Sequence, residues 1–281
     1  MSPRVSVVVP AYNNGEYVEQ TVRSVLDQTY TDFELVVSDH TSQDDTWEKL
    51  QQFGDDPRVR LERTEQGGGA RRNWNRVSEL ARGELIKLVC GDDLLRPTML
   101  AEQVAAIDAA GDNAVMVASQ RDLVDARGDV FLRGRGLDAL DGVTPGAEAL
   151  RATVRSGTNI FGEPACVLLR TEALRDAGWW QDLRYYIDAG SYAPVMVTGD
   201  VVALRRPLAA FRVSASQWSV RLMKAQAEEA AEFHRLARRL APAVISDADV
   251  RRGDRMAKLV ALQRRAAYAA LGKRMRPLPN D

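Results

Sequence analysis

The chain has 281 residues, 45% hydrophobic and 27% charged, which is enough apolar material for a sizeable core and excludes wholesale disorder. Thirty-eight Lys and Arg against thirty-nine Asp and Glu leave a formal charge of −1, so no global positive field exists to hold a nucleic-acid backbone. Charges break every apolar stretch within the ~20 residues a spanning helix needs, Met1-Ser2-Pro3-Arg4 leads straight into a valine run, and Cys90 and Cys166 are too few and too far apart for a disulfide framework or metal knuckle. A cytoplasmic chain without signal peptide or membrane span is the expectation.

The first hundred residues alternate short β-branched runs with helical patterns, the signature of stacked βαβ units around a parallel sheet. Val5 to Val9 reads as a buried strand, and Val18, Val22, Val25 and Leu26 mark one face of a helix that packs back on it. Phe33 to Val37 is a second strand. Ser42 to Asp45 offers caps for a helix carrying Trp47, Leu50 and Phe53, and Val59 to Leu61 is a short third strand. Ala70 to Arg82 is helical by pattern, Leu85 to Val89 is the next strand, Pro97 opens a helix at its first position, and Ala114 to Ala118 is another strand. From Arg121 to Gly146 the Gly- and Asp-rich chain predicts a long loop or small insertion. A strand over Ala165–Leu169, a helix over Thr171–Ala177 and two strands over Val201–Leu204 and Ala209–Val213 follow, and past Ser219 the pattern turns helical. Residues 251–281 hold nine Lys and Arg against Asp254 and Asp281, a net of +7 that leaves −8 for the rest.

In an open parallel sheet, ligands bind beyond the carboxyl ends of the strands. Those ends read Pro10-Ala11-Tyr12-Asn13-Asn14, Ser38-Asp39-His40 and Cys90-Gly91-Asp92-Asp93, which brings an aromatic ring, an acid beside an imidazole and a carboxylate pair to one edge. Tyr12 can stack on a base, Asp39 can accept from a base or ribose donor, and Asp92 and Asp93 offer hard oxygen ligands to Mg²⁺ or Mn²⁺ on a diphosphate. Taken singly, each has a plainer reading as a turn, a cap or packing. Gly67-Gly68-Gly69 is either a flexible turn or an anion-binding helix start. Neither a dinucleotide fingerprint nor a P-loop is present.

The order of these motifs resembles the family 2 glycosyltransferases of the GT-A fold. The resemblance rests on Val5 to Asn14, Ser24 to Tyr30, Phe33 to Asp39, Ala81 to Ile86, and Gly91-Asp92-Asp93 followed by Pro97; it weakens through Gly178-Trp179-Trp180 and Pro207 to Arg212. It implies a GT-A type, Rossmann-like α/β fold, a mostly parallel sheet flanked by helices, with a catalytic domain over residues 1–218 and a helical basic extension over 219–281. It also implies transfer of a sugar from a UDP-, dTDP- or GDP-linked donor to a saccharide, lipid-linked or small-molecule acceptor hydroxyl, with inversion. Pro10, Ala11, Tyr12, Asn14, Asp39, Asn75, Asp92 and Asp93 would bind the nucleotide sugar, Asp93 would hold Mn²⁺ or Mg²⁺, and Asp188 would deprotonate the acceptor.

Several positions depart from the family pattern. Cys90 replaces the first acid of the Asp-x-Asp region, Ile187 the Glu before Asp188, and Ser214 a metal-binding His, while Arg71 and Arg72 are shifted relative to Asn73-Trp74-Asn75. These departures motivate an alternative, a catalytically silent nucleotide-sugar-binding subunit. A nucleotidyltransferase is the third reading, weakened because Pro10 to Asn14 carries no cation. Trp179 and Trp180 are candidate acceptor-stacking residues, with core packing as the plainer role. In the tail, Lys258, Arg264 and Arg265 are expected opposite a Leu259, Leu262, Ala266, Ala270 stripe, which fits a peripheral membrane contact or packing on the catalytic domain or on a second copy. His234, remote from every motif, reads as surface or packing.

Overall fold

The computed structural model describes residues 2–215 and 225–276, so the expected boundary at 218/219 lies outside the described residues. The βαβ reading is realised in the first half: β1 (Val5–Ala11), β2 (Phe33–Asp39), β3 (Val59–Arg63) and β4 (Leu85–Leu88) pair in parallel, with α1 (Val18–Leu26), α2 (Thr46–Gln51) and α3 (Gly69–Glu79) between them. Every residue of β1 and β4 is buried, as expected of strands covered on both faces. Helix α1 buries Val18, Thr21, Val22 and Val25.

Beyond β4 come β5 (Leu94–Leu95), α4 (Met99–Ala110), β6 (Ala114–Asp125), β7 (Val130–Arg135), β8 (Gly142–Pro145), α5 (Gly146–Ser156), β9 (Val167–Arg170), α6 (Thr171–Asp176), α7 (Ile187–Met196) and β10 (Asp200–Val213). The main path of the sheet runs β3-β2-β1-β4-β9-β6-β10-β5, with β7 beside β6 and β8 beside β10. Along that path only β9 and β5 run against the other six strands.

Four local expectations change. The segment 121–146 is β structure: β6 runs on to Asp125, whose carboxylate accepts from the Arg127 and Asp129 amides at 3.0 Å and closes a turn onto β7. The hydrophobic run ends at Ala118, but backbone pairing with β10 continues to Asp125 through mostly polar residues. The two strands expected over 201–213 are one, kinked where the register shifts around Pro207, because proline has no amide to give the ladder. Helix α4 begins at Met99 with Thr98 at the cap; Pro97 lies outside it and its carbonyl accepts from Thr29. Residues Pro164–Cys166 form a 3₁₀ turn, so the strand starts at Val167.

The C-terminal helices α8 (Gln226–Leu240) and α9 (Asp247–Leu271) pack on α5 and α7. Ser246 and Asp249 form a reciprocal capping box at the start of α9. Asp249 also pairs with Arg151 and Arg155, which ties α9 to α5. The contact is close: a Cβ on Gly253 would lie 2.3 Å from the Val154 carbonyl, and one on Gly157 2.4 Å from the Ala257 amide. The buried stripe is therefore Gly253, Ala257 and Ala261, because only small residues fit there. Leu259, Leu262, Ala266 and Ala270 are exposed on the same side as Lys258 and Arg265, not opposite them, while Arg264 turns inward. His234 is fully buried and bonds Asp254 at 2.7 Å, so it is a packing residue. Among the described residues no helix is long and apolar enough to cross a membrane.

Candidate functional site

A cavity of about 560 Å³ opens where the strand ends converge. Its first wall comes from the turn after β1. Pro10, Tyr12, Asn13 and Asn14 line it, and Tyr12, 47% exposed, lies tilted against His40 with ring centroids 5.9 Å apart. Asn14 Oδ1 accepts from the Tyr12 amide, and the same side chain packs on Gly91, where a Cβ would approach it to 2.5 Å. Ala11 is buried and acts through its carbonyl, which accepts from the His40 amide and from Asn73 Nδ2. Asp39 is fully buried beneath the floor and does not line the cavity. Its carboxylate accepts from both the amide and hydroxyl of Ser42 and from Arg63.

The α3 wall differs from expectation. Asn75 is turned away, accepting from the Trp180 amide at 2.9 Å, and Asn73 and Trp74 face the cavity instead. The helix pitch decides this: two residues is over half a turn. Gly67 and Gly69 also line the cavity, and α3 begins at Gly69 after Gly68 in the left-handed region (φ 74°).

The loop after β4 supplies the carboxylates. Asp93 is 1% exposed; one oxygen accepts from the Arg212 amide at 3.3 Å, and Oδ2 meets no hydrogen-bond partner among the described residues. Burial drives its pKa well above the ordinary carboxylate value, and Asp92 and Glu163 add to the rise. Burial likewise lifts Asp92 to about 6, against the opposing pull of Arg212. Arg212 braces the loop, donating to the Asp92 carbonyl and to Gln20 while stacking 4.3 Å over the Tyr17 ring. Burial beside these acids pushes the Cys90 thiol well up, so the residue at the place of the first acid carries no charge of its own there. Among the described residues no group of three His, Cys, Asp or Glu side chains converges as a metal cage. A buried, unpartnered carboxylate oxygen with a second acid beside it fits a Mg²⁺ or Mn²⁺ that takes its remaining ligands from a diphosphate and water.

The opposite wall is α7 and the segment before it. Asp188 sits in the first turn of α7, accepting from the Ala189 amide at 2.6 Å and from Asn159 Nδ2 at 2.9 Å. Burial raises its pKa to about 7, Glu163 adds to the rise, and the two hydrogen bonds oppose it. Trp180 is 1% exposed, its indole donating to Ser78 and its ring edge-on to Trp74 at 5.0 Å, so in this structure it packs behind the Trp74 wall. Trp179 lies outside the cavity near Arg175. On this wall Tyr185 and Tyr186 face in.

Sequence reading gave no site role to several lining residues, among them Arg121, Glu163 and Arg264. Arg121 and Glu163 form an ion pair on the wall beside Gly162, whose Cβ would lie 2.8 Å from the guanidinium. Arg264 reaches in from α9, donating to the Tyr185 hydroxyl and, at 3.1 Å, to Thr158. An Arg and a Glu more than forty positions apart in weakly patterned stretches carry no local signal. The one available hint was glycine at 162 beside a charged residue.

The family description "Glycosyl transferase family 2" matches residues 6–178. An uncharacterized protein, MT1568 of Mycobacterium tuberculosis, is 31% identical over 229 residues, 79% of this chain and 70% of that one. Glycosyltransferase GlyG of Streptococcus pneumoniae is 39% identical over 113 residues, covering 39% of this chain and only 38% of GlyG. Among solved structures, Staphylococcus aureus TarS 1-349 in complex with UDP-GlcNAc superposes with TM-score 0.68 at 17% identity, over 97% of this chain and 75% of that one. Mannosyltransferase PcManGT of Pyrobaculum calidifontis, with GDP-Man and Mn²⁺, gives 0.63 at 19%, over 97% and 76%. With a GT-A type fold of this kind and a match across more than half its length, the chain belongs to glycosyl transferase family 2.

Proposed function

We propose that the chain moves a sugar from a nucleoside diphosphate donor to an acceptor hydroxyl by single displacement, with inversion. The observation that carries this reading is the division of acids in one cavity: Asp93 with a free oxygen on the strand-end side, and Asp188, lifted to about 7, on the α7 side. Tyr12 and His40 receive the base, and Asn14 and Asn73 shape the wall beside it. Asp93, with Asp92 beside it, would hold a Mg²⁺ or Mn²⁺, which when bound offsets charge on the diphosphate. Asp188 takes the acceptor proton as the acceptor oxygen bonds to the anomeric carbon. The bond from that carbon to the diphosphate oxygen breaks, and its electron pair leaves with the nucleotide. A carboxylate with a pKa near 7 suits general-base work at neutral pH. The TarS and PcManGT structures, bound to UDP-GlcNAc and to GDP-Man with Mn²⁺, support a nucleotide-sugar ligand and a divalent cation.

Thermal unfolding with UDP, dTDP or GDP, each with Mn²⁺ or with EDTA, tests the donor half. One diphosphate at about 100 times its Kd should add roughly 2.7 kcal/mol, with Mn²⁺ only. Asp93→Asn should abolish that metal-dependent gain; a gain equal in EDTA refutes the metal role. Asp188→Asn should keep donor binding and lower turnover about 10²- to 10⁴-fold. Donor binding without turnover in the unaltered chain, across an acceptor screen, would favour the silent subunit that Cys90 motivates.

A further inference from the structure

Helix α9 differs in how its acids and its cations are partnered. Asp247 pairs with Arg238, Asp249 with Arg151 and Arg155, and Asp254 with His234, so each acid of the helix is tied to another element. Wound at 100° per residue, Arg251, Arg252, Arg255, Lys258 and Arg265 fall with Leu259, Leu262, Ala266, Ala269 and Ala270 in a single arc of about 140°. All ten are exposed, and Leu259 and Leu262 are 46% and 63% accessible. Among the described residues none of these five cations makes an ion pair or side-chain hydrogen bond. A solvated helix face ordinarily mixes both signs and keeps large aliphatic side chains inward.

We propose that this face of α9 docks on an anionic lipid bilayer surface. The cations match the negative headgroup layer, and Leu259 and Leu262 enter the boundary between headgroups and acyl chains. Charge complementarity favours a bilayer over a second copy, because a two-fold contact through this arc would set five cations against the same five. It favours a bilayer over nucleic acid because two leucines in the middle of the arc would stay unused there. Since no described helix can cross a membrane, the contact is peripheral.

Co-sedimentation of the full chain with vesicles tests this without reading turnover, so its result stands apart from that of the donor experiment. One preparation is phosphatidylcholine alone, the other equimolar phosphatidylcholine and phosphatidylglycerol. Pelleting with the phosphatidylglycerol vesicles only, reversed by salt, is the expected result. Arg255→Ser/Lys258→Ser/Arg265→Ser should weaken that binding roughly tenfold or more. Leu259→Ser/Leu262→Ser should weaken it by about tenfold, with unfolding temperature unchanged as the folding control. Failure to pellet, equal pelleting on neutral vesicles, or indifference to the charge changes overturns the proposal. So does a dimer, seen by sedimentation velocity, that Leu262→Ser dissociates in a chain that never binds vesicles.

Discussion

Asp188 is held in the uncharged form across most of the acid range by burial, and its two hydrogen bonds only partly offset this. On the proposed role, kcat/KM rises with pH about tenfold per unit below 7 and levels above it, which a pH–rate profile checks. The same displacement has a stability sign. Between about 4, the unfolded value, and about 7 the native chain binds more protons than the unfolded one, so this residue's contribution to stability falls as pH rises through that window. Asp188→Asn removes the cost of the buried charge. The variant should be more stable than the parent at pH 8, on the order of 2–4 kcal/mol, and should show no such gain at pH 4, as denaturant melts at the two pH values would show. At this scale the sequence told more about type than orientation. Asp93 and Asp188 were legible because each follows a recognisable motif; Asn75 and Trp180 were misplaced because only helix phase decides which of two neighbours faces in.

Among elements, the α5–α9 contact is the least forgiving. Gly253 meets the Val154 carbonyl with no room for a Cβ, so Gly253→Val must push the helices apart. A loss of about 2–4 kcal/mol in chemical denaturation is expected, with weaker ligand response if Arg264 leaves the cavity. Gly162→Ala is a gentler test of the Arg121–Glu163 wall: its φ of 78° and the 2.8 Å approach to Arg121 predict a cost of about 1–3 kcal/mol and impaired turnover. β1 and β4 were readable because burial on both faces demands apolar runs, and α1 because its buried residues recur at helical spacing. The hairpin of β6 and β7 was not, because its outer half is polar where it borders the cavity, and β5, two residues long, exists only through its pairing with β10.

For the whole molecule, two buried titrations meet near neutrality. Among the described residues the ammonium of Lys87, within β4, meets only the carbonyls of Ala165 and Val167, and burial lowers its pKa to about 7. From there to its unfolded value near 10.4 the unfolded chain binds more protons, so this group's contribution rises with pH, opposite to that of Asp188 below 7. Lys87→Met should flatten the alkaline limb of a stability–pH curve and leave the acid limb alone. The charge difference between residues 251–281 and the rest does not show in the packing, because α8 and α9 rest on α5 and α7.

The place of β10 has a consequence for how the chain comes to its final form. In space it lies between β6 and β5, yet among the described strands it is the last in chain order, and its Arg212 amide donates to the Asp93 carboxylate. A growing chain that stops short of residue 200 has an open β6 edge and an unbraced carboxylate loop, however well β1 to β4 have formed. Such long-range closure is slow and leaves an edge available to neighbouring nascent chains, so the acid loop matures last and the interval before it does is when aggregation competes with folding.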